Sequence, residues 1–122
     1  MIRLAVLFSA IVVAYDALAA AIAKGLVISY GSFVVPEAVL FVFMGIYAGR
    51  KMGGWNGFAP VLIAAIANGT LGWYVAALIG PGAMPPGQIS TAAFQLASYI
   101  LVPAVFGAAG VATGIRVNRT QR

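Results

Sequence analysis

The chain has 122 residues, 63% of them hydrophobic and only 7% charged, with seven Lys/Arg against two Asp/Glu. An ordinary soluble domain is about one-quarter charged, so this composition excludes a soluble surface, and the mean hydropathy of +1.05 marks an integral membrane protein. The absence of Cys and His removes disulfides, thiol nucleophiles and the usual zinc sites. The net charge of +5 does not indicate nucleic acid, because the cations fall at the ends of apolar runs instead of sharing one face.

A helix needs about 20 mostly apolar residues to cross ~30 Å of hydrocarbon. The first such run, Leu4 to Ala23, is broken only by Ser9 and Asp16 and predicts a helix over 3–24. The next apolar stretch is interrupted by Gly31, Pro36 and Glu37. Proline and an acid both suit a first helical turn, which predicts a short second helix over 36–50. Residues 25–35 are then expected along the interface, anchored by Tyr30 and Phe33. A third helix is expected over 58–79 and a fourth over 90–115, followed by a basic tail over 116–122. The expected fold is therefore all-α, a single polytopic domain of four transmembrane helices.

Orientation follows from the basic residues. With the N-terminus inside, Arg3, Arg50, Lys51, Arg116, Arg119 and Arg122 face the cytoplasm and Lys24 alone lies outside, as the positive-inside rule requires. The uncharged connection Gly80 to Gln88 suits the outer side, and both termini are expected to be cytoplasmic. A rival reading takes the first run as a signal peptide, with Ala21-Ile22-Ala23 as its cleavage site. The length of the run and the acid inside it argue against that.

Helices in lipid associate through close contacts at small residues and a few hydrogen bonds. Small residues form stripes at Ala10, Ala14, Ala17 and Ala21, at Ala65, Gly69, Gly72 and Ala76, at Gly45, Gly49 and Gly53, and at Gly107, Gly110 and Gly114. They serve either oligomerisation or the seating of four helices within one chain. The similar spacing on helices one and three, and the GxxxG-plus-cation endings GIYAGRK and GVATGIR, suggest two duplicated helical hairpins.

An ionisable side chain inside a membrane is a functional-site hypothesis by default, and Asp16 is that residue. Asn68, Thr70, Ser98 and Tyr99 are expected at similar depth. Pro103 deprives the Tyr99 carbonyl of its helical hydrogen bond, leaving an acceptor there. Together these residues would form a proton or substrate site, in which Asp16 exchanges a proton for a cation. The plainer alternative keeps Asp16 protonated as a packing contact with Asn68 or Ser98. Glu37 is explained by helix capping at the outer surface. No phosphate loop, nucleophile–base pair or metal cluster occurs, so no enzyme activity and no cofactor are expected.

Four helices with one acid in the first, and Lys24 about two turns after it, weakly resemble the small multidrug resistance transporters. That family's third-helix Trp with Gly-x-Gly just after it is missing from NGTLGWYV (Asn68 to Val75). The segments FMGIYAGRKMGGWNGF (Phe43 to Phe58) and ANGTLGWYVAALIGPG (Ala67 to Gly82) look more like a set of small uncharacterised bacterial membrane proteins. There an AGR-type turn links two helices and a TLGW…IGPG segment ends the next. The resemblance implies the bacterial cytoplasmic (inner) membrane and no particular activity. Taken together, the sequence predicts a non-enzymatic protein that acts by helix–helix association in the lipid bilayer. It would work as a homo-oligomer or as a subunit beside a membrane-protein partner. A proton-coupled transporter or channel centred on Asp16 is the alternative.

Overall fold

The computed structural model describes residues 1–28, 30–80 and 89–121, and every regular element among them is helical. Helix α1 spans Ile2–Leu26, α2 Val34–Met52, α3 Phe58–Ala67, α4 Trp73–Ile79 and α5 Ile89–Thr120. Between α3 and α4, Asn68–Gly72 form one π-helical turn, so Trp55–Ile79 is a continuous rod with a bulge in it. Two glycines and a threonine make this stretch a weak α-helix former, and π turns of this kind tend to mark functional positions.

Three segments are long and apolar enough to cross a membrane: Ile2–Leu26, Trp55–Ile79 and Ala97–Thr120. The remaining helix, α2, is 19 residues long and carries Glu37, Arg50 and Lys51. It starts at Val34, so Pro36 lies in its first turn but not at its first position. The last helix runs on to Thr120, through the stretch expected to be a basic tail. Most of the connection expected on the outer side, residues 81–88, lies outside the described residues.

Contacts at the helix ends set the directions. At one end Lys24 Nζ of α1 donates to the Ile79 carbonyl of α4 at 2.9 Å, so α1 runs parallel to the third rod. At the other, the Phe8 ring lies edge-on to Tyr47 of α2, with centroids 6.4 Å apart, so α1 and α2 are antiparallel. Arg3 and Lys51 border one cleft, and Arg50 and Lys51 border another with Asn118, while Lys24 is at the opposite end.

The closest helix pair is α2 with α5, which run parallel. A Cβ on Gly49 would lie 2.5 Å from the Val111 carbonyl oxygen and 3.1 Å from its Cα. One on Gly45 would lie 2.8 Å from Val111 N and 3.0 Å from Gly110 Cα. A Cβ on Gly114 would approach Arg50 N to 3.0 Å. These glycines, with Gly110, bring two backbones together inside one chain, whereas a Cβ on Gly107 would meet the Val61 side chain of α3. Gly53 does something else: at φ 68° it is the left-handed residue that ends α2, a conformation glycine adopts without steric cost. The Ala65, Gly69, Gly72 and Ala76 stripe is also buried, whereas Ala10, Ala14 and Ala21 on α1 are exposed.

Candidate functional site

The site is built where α1, α2 and α5 meet the bulge of the third rod. Asp16 is 2% exposed, Glu37 6% and Asn68 2%. Aspartate and glutamate total two in the whole chain, so both of its acidic side chains are buried at this one level of the bundle.

Asn68 is the hub. Its Nδ2 donates to Glu37 Oε1 and to the Tyr99 carbonyl at 2.9 Å. The second bond exists because Pro103 stands four residues after Tyr99 in α5 and has no N–H to offer that carbonyl. Asp16 packs one turn further along the bulge, against Gly72. A Cβ on Gly72 would overlap its Oδ2 and lie 2.9 Å from its Cγ, so only glycine leaves room for this carboxyl group. Asn68 and Gly72 are one helical turn apart and share a face, and the two carboxyl groups interact electrostatically.

Glu37 is a correction to the sequence-based expectation of a solvated cap. The link between α1 and α2 folds inward through the 3-10 turn Tyr30–Phe33. The Phe33 carbonyl accepts a hydrogen bond from the Tyr15 hydroxyl at 2.7 Å. Since Tyr15 lies three turns before the end of α1, α2 starts well inside the bundle and takes Glu37 with it. The signal was in the sequence: an acid inside a long apolar run is what singled out Asp16, and Glu37 meets the same criterion.

Thr70 is the opposite case. It is exposed, and its hydroxyl bonds back to the Ile66 carbonyl at 2.7 Å, so it does not join the other candidates. Ser98 and Tyr99 are part-buried and line a cavity of about 260 Å³ with Val34, Glu37, Ala38 and Pro103. The walls are mostly apolar and Glu37 supplies the one ionisable carboxyl group. The cavity lies on the seam between α2 and α5. Among the described residues no group of three or more His, Cys, Asp or Glu could hold a metal ion.

No protein-family model matches this chain, and no curated protein or solved structure matches it either.

Proposed function

We propose that this chain is a small, non-enzymatic transporter of the bacterial cytoplasmic membrane, which moves a solute against a proton through Asp16 and Glu37. The observation that carries the reading is the burial of both acidic side chains of the chain around one π turn, bridged on one side by Asn68. An ionisable group in hydrocarbon costs about 3 kcal/mol or more. A buried polar set kept only for packing is often matched or bettered by apolar residues of similar volume. Two acids, an amide, a proline-freed carbonyl and a glycine that makes room for a carboxyl group amount to a costly arrangement, and proton exchange gives it a use. The cavity beside Glu37 supplies a place for the second solute.

In this reading α2 is a fourth span, both termini are cytoplasmic, and the end bearing Arg3, Arg50 and Lys51 faces inward. The parallel pairing of α1 with the third rod and of α2 with α5 is the arrangement two duplicated hairpins would give. Proton flux in liposomes tests the function. With a monovalent cation trapped inside as the exchange partner, wild-type protein should accelerate proton entry over protein-free liposomes holding the same cation, and Asp16→Asn and Glu37→Gln should each abolish the increment. An increment that survives in both variants would refute the proposal.

One observation favours action by association as a second reading. The alanines Ala10, Ala14 and Ala21 are exposed on the outer face of α1, a surface on which a second copy or a partner helix can pack closely. Ala14→Leu should then shift the oligomer distribution in native mass spectrometry. The glycines of α2 and α5 are occupied within the chain and do not support this reading.

A further inference from the structure

We propose that the basic end of the bundle is a binding site for anionic phospholipid, seated in two clefts on either side of the Tyr47–Lys51 ridge of α2. One cleft, of about 410 Å³, is lined by Arg3, Leu4, Leu7, Tyr47, Lys51 and Met52 among others. Its neighbour, of about 560 Å³, is lined by Phe43, Ile46, Tyr47, Arg50, Lys51 and Asn118 among others. Each is graded along the helix axis. Phe43 and Ile46 lie one to two turns below Arg50 and Lys51 on α2, and Leu4 and Leu7 lie on the bundle side of Arg3. Apolar walls beneath a cationic rim fit the glycerol and first acyl carbons of a lipid below its phosphate.

Among the described residues no side-chain carboxylate stands beside the charge at this end. Both side-chain carboxyl groups of the chain are at the buried site, and Lys51 is fourteen residues along α2 from Glu37, about 21 Å at 1.5 Å per residue. The last turn of α2 carries Arg50 and Lys51, and there the helix dipole accounts for cations. It does not account for Arg3. That residue is in the first turn of α1, where no side chain caps the helix and no acid is present, so the dipole and the guanidinium add to the same positive potential. Lys51 is held over its cleft by the Tyr47 ring, with Nζ 5.4 Å from the ring centroid and 3.3 Å from the hydroxyl. The partner that matches cations without carboxylates, set over apolar walls at the edge of a bilayer, is an anionic lipid headgroup. This inference does not depend on proton transport.

The test uses Trp55, which is 62% exposed and follows closely on Gly53, where an added Cβ would lie 3.9 Å from Asn118 Nδ2. In a Trp73→Phe background, the protein is reconstituted in phosphatidylcholine bilayers containing a minor fraction of brominated lipid, either phosphatidylglycerol or phosphatidylcholine. Trp55 should be quenched more by the brominated phosphatidylglycerol, reporting local enrichment. That enrichment should fall by roughly fivefold for each of Arg50→Gln and Lys51→Gln. Arg116→Gln, an exposed cation outside both clefts, should leave it nearly unchanged, and so should an excess of inorganic phosphate. Equal quenching by the two lipids would overturn the proposal, as would enrichment that persists in the Arg50→Gln/Lys51→Gln double variant. Displacement by inorganic phosphate would also overturn it, making this a free-anion site.

Discussion

Gly49→Ala isolates the contact that holds α2 to α5. The added methyl would stand 2.5 Å from the Val111 carbonyl oxygen, 3.1 Å from its Cα and 3.2 Å from its carbonyl carbon. All three are backbone atoms, so no side chain can rotate away, and the helices must separate by about 0.8 Å to restore ordinary contact. A gap of that size forfeits a quarter to a half of each atom pair's ~0.1–0.2 kcal/mol. Over roughly forty pairs along the crossing the loss is about 1–4 kcal/mol, near 2 kcal/mol at the middle of that range, of which alanine's better helix propensity returns up to about 1 kcal/mol. The expected net destabilisation is about 1–2 kcal/mol. Gly25→Ala is the matched control, because nothing lies within 4 Å of a Cβ at that position, and it should be neutral or slightly stabilising. Reversible unfolding in mixed micelles, followed by tryptophan fluorescence, measures both. If Gly49→Ala stabilises the protein as Gly25→Ala does, the helices are not in backbone contact there.

Gly72→Ala should displace the Asp16 carboxyl group and suppress proton flux while the folded protein is retained, with a change in the emission of the adjoining Trp73 as the local readout. Pro103→Ala should raise stability by about 1–2 kcal/mol by restoring a helical N–H to the Tyr99 carbonyl, yet lower flux because that carbonyl no longer serves Asn68 alone. Single cysteines replacing Lys24 and Lys51 should label from opposite sides of sealed vesicles, Lys51→Cys from the cytoplasmic side. Labelling of both from one side would refute the orientation.

Much of this architecture can be read in the sequence, and the remainder fails for identifiable reasons. Apolar run length marks the rods that can cross a membrane, since hydrocarbon thickness imposes it. Pro103 discloses the acceptor at Tyr99, because a missing N–H is a local property. Glu37 meets the criterion that singled out Asp16, an acid inside an apolar run, but its depth could not be fixed by local rules. Its depth depends on how the link between α1 and α2 folds under Tyr15, and a segment that turns inward has the same composition as one lying on the interface. The π turn is equally hidden, although Gly69 and Gly72 are weak α-helix formers. It sets Asn68 and Gly72 on the face that meets the acids. Thr70 could have been set aside without the structure, because residues two apart on a helix do not share a face. The glycines at Gly45 and Gly49 announce a close contact, but only the fold identifies α5 of the same chain as the surface they meet.

Infrared spectroscopy tests the central claim most directly, because the chain's two acidic side chains are the only ones whose carboxyl C=O band has to be assigned. Difference spectra of the reconstituted protein would be recorded over a pH titration for wild type, Asp16→Asn and Glu37→Gln. A proton-exchanging pair predicts a protonated-carboxyl band that disappears reversibly as pH rises and is altered in both variants, since each group feels the other's charge. A band that persists unchanged across the titration, or one that responds to only one of the two substitutions, would contradict coupled proton exchange at Asp16 and Glu37.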